Sequence, residues 1–528
     1  LKCKNFFIQF QKERLENPIA YRFFEILPGA LVWISIFAII FYSIKSPEKV
    51  LIFSLLFAGY WGGKSLIIAI GILFSFLKVK NTEVEDWEKL GKNLYKNPTR
   101  EEKIALAKIP KKDQIKFEDV YHIVLHANYR EPSEIVIPAI QSLADANFDK
   151  KKIISVLANE ERNKEITEEN RKIFHKKFDK IFFKAISTLH PDKPMEVKAK
   201  GANLTYAMSE VMEFIKKENI PVENVVVSAL DGDAQVHPEY FNRLTYLFIS
   251  TPDRYKKSFQ PIPTYLNNIW DAPWFSRTTA FSTSFYFMEE CVLSSEYLFT
   301  YSGHATSLKK LIEVGFWSVD CINEDSKQFW KMFVHDKGEH EVISIDLPIY
   351  MDAVLADTTK ETLINQYKQL QRWAYGAEHI PYIFTNTLKI PELRNFKNFK
   401  KSFRYFFSNY SWATAPIFAT FAPFLPFLFH PDLKNTLFGS TFFFSNAIVW
   451  SFGYISLFTY LFMSIAISKK FIKEKKLRQK NIFYLALSQW ILYPITILWI
   501  FGIAGLDAIT RLFLGKYLTY WTTEKVRK

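Results

Sequence analysis

Two long apolar runs near the start of the chain restrict its fold before any motif is read. Ile26–Ile44 is almost uninterrupted apolar sequence, and beyond the polar link Lys45–Lys49 a second run covers Val50–Leu77. Each is long enough to cross about 30 Å of hydrocarbon at 1.5 Å per residue. The pair reads as a transmembrane hairpin with both ends on one side. Lys2, Lys4, Lys12, Arg14 and Arg22 precede it, and Lys78 and Lys80 come after it. The positive-inside rule therefore places both ends, and the domain after them, in the cytosol. The first run sits behind Tyr21–Glu25 and lacks a small-residue cleavage site, so a retained anchor is expected. Apolar runs return later: Tyr410–Phe429 with Pro416, Pro423 and Pro426, then Phe438–Ile467, then Ile482–Ile503 after the basic loop Ser468–Asn481.

Between these ends the chain must be soluble. Apolar residues make up 49% of the 528 and Phe alone contributes 51, yet mean hydropathy is only −0.04, which excludes a bundle of membrane helices throughout. The net charge of +14 gathers beside apolar segments, as in Lys469, Lys470, Lys473, Lys475, Lys476, Arg478 and Lys480. That placement favours a membrane surface over nucleic acid. Cys3, Cys291 and Cys321 form no CxxC pair, so they give no sign of a disulfide framework or a zinc site.

From Asp119 short apolar runs alternate with helical patterns. His122–Ala127, Ile153–Ala158 and Val225–Leu230 read as buried strands, separated by helical stretches over Ser133–Ala146, Glu160–Leu189 and Leu204–Glu218. Such alternation predicts a mostly parallel sheet that binds ligands at the carboxyl ends of its strands. The expected division is a basic cytosolic segment (1–25), a transmembrane hairpin (26–78), a charged linker (79–118) and an α/β domain (119–350). Amphipathic interfacial helices (351–407), further transmembrane helices (408–503) and an interfacial helix with a polar tail (504–528) complete the chain. Three crossings after the α/β domain would put the C-terminus outside, whereas Arg511, Lys516, Lys525, Arg527 and Lys528 favour the cytosol. A tight hairpin over Ile482–Leu514, broken near Pro494, is preferred to a non-crossing Tyr410–Phe429.

Three stretches can carry chemistry. Asp231-Gly-Asp233 comes directly after the Val225–Leu230 strand. Two carboxylates one residue apart at an open strand end can hold a hard divalent cation, though Asp-Gly-Asp is also an ordinary surface turn. In Asn323-Glu324-Asp325 a carboxylate can take the proton from an attacking hydroxyl, or simply favour a helix N-terminus. Gln369-Leu-Gln-Arg372-Trp373 places Gln369, Arg372 and Trp373 on one helical face. An arginine fork suits phosphate and a tryptophan face suits a sugar ring, while the plain alternative is an interfacial helix with a snorkelling Arg and a belt Trp.

Taken in order and between membrane segments, Asp231-x-Asp233, Glu324-Asp325 and Gln369-x-x-Arg372-Trp373 (QxxRW) resemble the processive family-2 glycosyltransferases, which include cellulose, hyaluronan and chitin synthases. The likeness covers roughly Tyr121–Trp373. Asn128-Tyr129-Arg-Glu131-Pro132 resembles the family's first nucleotide-binding loop, and Lys198-Ala-Lys200-Gly201-Ala-Asn203 its Lys-Gly-x-x-Asn segment. Gln260-Pro261 through Arg277 and Tyr301-Ser302-Gly303-His304 are similar to its donor- and acceptor-side segments. Tyr520-Trp-Thr-Thr523-Glu-Lys525 looks like a variant gating loop, with Tyr520 for Phe and Thr522 for Val. The second strand ends Asn159-Glu160-Glu161, where the family commonly carries an aspartate that contacts the base.

The resemblance implies an α/β GT-A catalytic domain, a Rossmann-like mixed sheet, embedded between α-helical transmembrane segments of a multi-pass cell (plasma) membrane protein with its catalytic domain cytosolic. It implies an inverting hexosyltransferase that uses a nucleotide sugar, most commonly a UDP-sugar. Asp231 and Asp233 would hold Mg²⁺ or Mn²⁺, and Asp325, beside Glu324, would be the general base. Donor contacts would come from Asn128, Tyr129, Glu131, Glu160, Lys200, Asn203, Asp231, Arg372, Thr523 and Lys525. Gln369, Arg372, Trp373, Gly303 and His304 would meet the acceptor. That acceptor would be a growing polysaccharide, with export through the helices, or in related enzymes a single lipid such as ceramide or polyprenyl phosphate. A catalytically silent sugar- or nucleotide-binding protein is the alternative outside enzymes, and the intact acids argue against it. Gly62-Gly63-Lys64-Ser65 ends like a P-loop but has Ala58 where the first glycine belongs, and Lys64 reads as snorkelling or pore-facing. His335 and His340 read as part of a solvated hairpin.

Overall fold

The computed structural model describes residues 16–194, 196–474 and 479–527. The basic residues before Glu16, together with Lys475, Lys476, Arg478 and Lys528, lie outside them.

Eight strands form one mixed sheet: β1 (Tyr121–Asn128), β2 (Ile153–Glu160), β3 (Lys184–His190), β4 (Val225–Asp231), β5 (Gln235–Val236), β6 (Lys257–Thr264), β7 (Ala305–Ser307) and β8 (Glu341–Tyr350). Their order is β3-β2-β1-β4-β7-β6-β8-β5. The first four are parallel, β7 is antiparallel to both neighbours, β6 and β8 are parallel, and β5 closes the edge antiparallel to β8. β2 is buried along its whole length, as a strand covered on both faces should be. After β1 the chain moves outwards to β2 and β3 and then returns to β4 on the other side. The crevice at the carboxyl ends of β1 and β4 is therefore the switch point where such sheets bind ligands. Ala127 and Asp231 stand opposite each other there.

The three predicted strands are present. The helical pattern expected over Glu160–Leu189 ends at Phe178, however, and its last residues form β3. Only Ala185, Thr188 and His190 of β3 are buried, so its apolar residues do not make the continuous run that marks β1, β2 and β4. The charged stretch 79–118 is more than a linker, because Leu94, Ile115 and Phe117 are buried in the core under the sheet.

The helices that concern the site and the membrane are α1 (Pro18–Lys45), α2 (Pro47–Glu83), α3 (Lys200–Lys217), α4 (Trp274–Leu293), α5 (Glu324–His335), α6 (Thr359–Ala374), α7 (Phe396–Phe421), α8 (Leu437–Ile467) and α9 (Tyr493–Phe513). Four of them, α1, α2, α8 and α9, are long and apolar enough to cross a membrane. Ile52, Leu56, Ile67, Ile70 and Phe74 of α2 face outwards without protein cover, which a helix tolerates when its solvent is lipid. At 37 residues α2 is roughly 55 Å long, more than a bilayer needs, and its end docks on the sheet. Lys78 Nζ pairs with Asp346 of β8 at 2.9 Å, and Glu83 lies 3.6 Å from His237.

The C-terminal expectations need correction. Tyr410–Phe429 is not one span: α7 begins at Phe396 and ends at Phe421, and a separate turn, Leu425–Phe429, comes after it. The Ile482–Ile503 run is interrupted at Leu492, two residues before Pro494, and resumes as α9, whose Ile497–Gly502 is π-wound. The interfacial helix expected at the start of 504–528 therefore begins inside a candidate span. Gly62–Ser65 lies within α2, so no phosphate-binding loop exists there, and Lys64 Nζ rests over the Trp61 ring at 5.0 Å. His340 is not solvated but fully buried. It bridges Ser258 Oγ (2.9 Å) and the Asp336 carboxylate (3.1 Å), which Lys310 also holds at 2.7 Å. That chain has a Ser–His–Asp connectivity, but with Ser258 and His340 at 0% exposure no substrate reaches it.

Candidate active site

The site assembles at the switch point from segments far apart in sequence. Asp231 ends β4, and Gly232 lets the chain pass close to β1, since a Cβ there would stand 2.9 Å from Ala127 O. Lys200 opens α3. Its ammonium is buried and shared: Nζ lies 2.8 Å from Asp231 Oδ1, 3.0 Å from Asp325 Oδ1 and 3.9 Å from Glu324 Oε1. One cation thus joins the strand-end acid to the acid pair at the start of α5. Gly201 makes that approach possible, because a Cβ there would stand 2.2 Å from Ser318 O and 3.0 Å from Glu324 Cβ.

Asp233 is fully buried. Its Oδ2 accepts from the Asp352 backbone N–H at 2.7 Å, and Lys525 Nζ meets its Oδ1 at 2.6 Å. Lys525 arrives on the C-terminal tail, which runs parallel to the chain at Leu355 through a bridge and a Val526 N–H to Leu355 O bond of 3.0 Å. Arg527 clasps the Asp352 carboxylate with two nitrogens, and Asn268 donates to Val526 O. Earlier in the tail, the Tyr520 ring lies 5.0 Å from the Arg372 guanidinium and Trp521 Nε1 donates to Asn365 of α6. Thr523 is buried, with its hydroxyl unpartnered.

The electrostatics reflect this crowding. Burial disfavours the Lys200 and Lys525 ammonium groups, but the carboxylates around them outweigh it and hold both pKa values above the usual lysine range. Burial likewise works against an ionised Asp231, yet Lys200 and Lys525 keep its carboxyl well below the normal range. Glu324 has no such surplus of cations, so burial and the neighbouring Asp325 push it up to about 8. Burial raises Tyr520 to about 12.

Among the residues expected to meet the donor, Asn128 donates to Asn159 across β1 and β2, and Asn203 of α3 donates to Ala158 O at 2.7 Å. Glu131 folds back to accept from the Tyr129 and Arg130 N–H groups. Glu160 is paired with Arg162, whose guanidinium stacks over the Tyr129 ring at 4.4 Å. Among the residues expected to meet the acceptor, Gly303 takes φ +85, which a side chain would oppose. His304 has no free ring nitrogen: Nδ1 donates to Tyr301 O and Nε2 accepts from Trp317 Nε1, so it braces its loop 3.5 Å from Asp325. Gln369 is buried and accepts from Gln366. The Trp373 ring lies 5.8 Å from Tyr265 and packs with Phe275, Leu370 and Ile500.

Sequence reasoning missed Tyr265 and Asp352. Asp231, Asp233, Arg372 and Asp325 all act electrostatically on Tyr265, and Asp352 ties the tail to Asp233. Asp352 could have been noticed as an acid just past a strand end. Tyr265 lies inside the Gln260–Arg277 stretch that carries the resemblance, but nothing in the sequence singles it out there.

A strand-end acid pair, a second acid pair and the cations Lys200, Lys525 and Arg372 converge here, an arrangement chemically suited to a phosphate-bearing group. Residues 226–504 match Glycosyl transferase family group 2, more than half of the 528, and the chain belongs to that family. The sheet and its flanking helices are accordingly a GT-A catalytic fold with apolar helices on both sides in sequence. No curated protein matches the sequence. Among solved structures, the mannosyltransferase PcManGT from Pyrobaculum calidifontis, in complex with GDP-Man and Mn²⁺, is 12% identical with a TM-score of 0.40, over 76% of this chain and 98% of its own. S. aureus TarS 1–349 is 11% identical with a TM-score of 0.33, over 75% of this chain and 93% of its own.

Proposed function

We propose that this glycosyltransferase is an inverting enzyme, set in the plasma membrane with its catalytic domain on the cytosolic side, that moves a sugar from a nucleoside diphosphate donor to a growing polysaccharide. The observation that carries the reading is the Lys200 ammonium held between Asp231 and Asp325 at 2.8 and 3.0 Å. It brings the acid suited to a donor metal and the acid suited to an acceptor proton to one point.

Asn128, Tyr129, Glu131, Glu160 and Asn203 line the donor end, where Tyr129 and Arg162 offer a stacking platform for a base. Asp231 and Asp233 offer hard oxygens that already face ammonium groups, and the pair suits a cation that completes its shell with water and phosphate. Among the described residues no group of three His, Cys, Asp or Glu forms a closed protein cage. When bound there, Mg²⁺ or Mn²⁺ offsets charge on the leaving diphosphate. Lys200, Arg372, Lys525 and the Thr523 hydroxyl supply the rest of the neutralisation. Asp325 takes the acceptor hydroxyl proton as that oxygen bonds to the anomeric carbon and the bond to phosphate breaks on the opposite face. Gln369, Trp373 and the Gly303–His304 loop, with Tyr265, shape the acceptor end. The tail closes over the centre and excludes water from the activated sugar.

The test is to incubate the purified protein with labelled UDP- and GDP-sugars and to size the product. A polymer supports the reading, whereas one sugar on an added lipid replaces it with the single-addition alternative. Transfer by Asp325→Asn at the wild-type rate would remove the base assignment. In sealed inside-out vesicles, a Thr522→Cys variant should react with an impermeant thiol reagent. Reaction only from the lumenal face would overturn the topology and the tail's role.

A further inference from the structure

Helix α5, which presents Asp325 in its first turn, does not cap itself. Its N-cap residue Asn323 makes no capping bond, because its side-chain amide donates to Arg372 O at 2.9 Å. The first N–H groups of a helix need partners from elsewhere when the cap residue is diverted, and the backbone that leads into the helix must also be held. Here that hold comes from the turn Tyr375–His379, which directly succeeds the QxxRW helix. Glu378 Oε1 accepts from the Ile322 N–H (3.3 Å) and the Asn323 N–H (3.2 Å). His379 Nε2 lies 3.1 Å from Asn323 O and 3.0 Å from Ser326 Oγ. The turn itself is pinned from α7, where Tyr405 donates to Gly376 O at 2.9 Å. Three bonded contacts thus converge on the single residue before Glu324, all from the five residues after Ala374 or from Arg372 itself.

We propose that Glu378, seconded by His379, is a positioning residue that sets the Asp325 carboxylate relative to Arg372 and Trp373. The inference rests on the reading of Asp325 as the general base. The connection is short and direct. Glu378 fixes the peptide at Asn323, and Asp325 lies two residues beyond it in the same helical start. A movement of the helix that carries Arg372 is therefore transmitted to the carboxylate that takes the acceptor proton. Glu378 lies outside the residues assigned to donor and acceptor, and its carboxyl faces the Ile322 and Asn323 amides, with Lys327 rather than Lys200 as its main charged neighbour. Burial raises it to about 8, so near neutrality it accepts those bonds as a largely uncharged acid. A glutamine reproduces that acceptor, and a leucine does not.

The test uses the full chain, purified in detergent, with Glu378→Gln, Glu378→Leu and each combined with Asp325→Asn. The readouts are kcat, donor KM, nucleotide binding and the melting temperature. Glu378→Leu should lower kcat roughly 10- to 100-fold, the range for a small misplacement of a reacting group, and leave donor KM nearly unchanged. Glu378→Gln should keep a kcat close to wild type. In the Asp325→Asn background Glu378→Leu should change little, because residues that act as a unit are not additive. Wild-type kcat in Glu378→Leu, or the same loss in both backgrounds, overturns the proposal. Wild-type kcat in Asp325→Asn alone overturns the base reading and the positioning role with it, whereas a slow Asp325→Asn beside an unaffected Glu378→Leu sinks only the latter. Should Glu378→Leu fail to fold, Asn323→Ala, which removes the amide bond to Arg372 O, should show the same kcat loss and the same non-additivity.

Discussion

The two halves of the sheet solve different problems. From β3 to β4 the strands are parallel, consecutive ones joined by helices, and each strand pairs along most of its length. From β7 to β5 the sheet is mixed: β7 has three residues, β5 has two, and the β6–β8 register slips between Gln260 and Ile262. The regular half supplies a rigid shelf ending in Asn128, Glu160 and Asp231. The irregular half pairs at length only between β6 and β8, and its loops and helices bring in Glu324, Asp325, Asp352 and, through the tail, Lys525. Precision on one side and reach on the other meet at Lys200, and perturbing that junction should separate the two contributions.

The largest effect is expected where both halves grip one carboxylate. Asp233 lies just past β4, yet its oxygens are held by Asp352 and Lys525 from the other side. Asp233→Asn should abolish transfer and leave a folded protein, and excess EDTA should stop the wild type. Full turnover under either condition would show that donor binding belongs to the parallel half without a metal.

Next comes the packing across the junction. Gly201→Ala places a methyl 2.2 Å from Ser318 O and 3.0 Å from Glu324 Cβ, so α3 and the start of α5 must part. Because Lys200 is the adjacent residue, its two aspartates should separate as well. A kcat loss of up to ~10²-fold is expected, the cost of an ångström-scale misplacement. A Gly63→Ala control, with nothing within 4 Å of the added methyl, should keep wild-type kcat. Equal kcat in Gly201→Ala and the control would mean the junction is not under positional constraint.

A single contact from the tail should matter less. Lys525→Ala removes one charged contact to Asp233, and a drop in donor use of about tenfold is expected from the lower end for such contacts. Deletion of Leu518–Lys528 should stop polymer synthesis without unfolding the sheet. Near-normal turnover of the deletion in detergent would reduce the tail to a membrane-surface appendage.

The same contrast explains what could be read from sequence. Val225–Leu230 and Ile153–Ala158 are dense apolar runs, so the parallel half and the strand-end position of Asp231 were legible. β7 is too short for any periodicity, and β3 mixes apolar and polar residues without a strand-like alternation, inside a stretch whose spacing also fits a helix. Arg372 and Lys525 stand out in the sequence because their motifs are local. Tyr265, Asp352 and Glu378 act through partners dozens to hundreds of residues away, and a one-dimensional pattern does not encode such pairings. His304 shows the converse. It sits in a recognisable segment, but only the bonds to Tyr301 and Trp317 reveal that its ring is already occupied.

The smallest expected effect concerns the irregular half alone, through the protons its acids retain. Burial raises Glu378 to about 8, and burial with Asp325 does the same for Glu324. An unfolded chain would release both protons near the ordinary glutamate value of about 4.3. Between these limits the native state binds more protons than the unfolded one, so unfolding free energy falls as pH rises. The stabilisation is complete below the unfolded pKa and is lost as pH passes through the folded one. The melting temperature should therefore decline from pH 5 to pH 9, and Glu378→Gln, which cannot ionise, should decline less. A difference of roughly 2–4 °C by pH 9 is expected, the response of a moderate-sized domain to about 1 kcal/mol. The parallel half lacks a raised acid of this kind except Glu160, which Arg162 partly offsets, so Glu160→Gln should flatten the slope less than Glu378→Gln does. Identical slopes in wild type and Glu378→Gln would show that Glu378 stays ionised against the two amides. The positioning bonds would then be charge-assisted, and Glu378→Gln should lose kcat where a neutral acceptor was expected to preserve it.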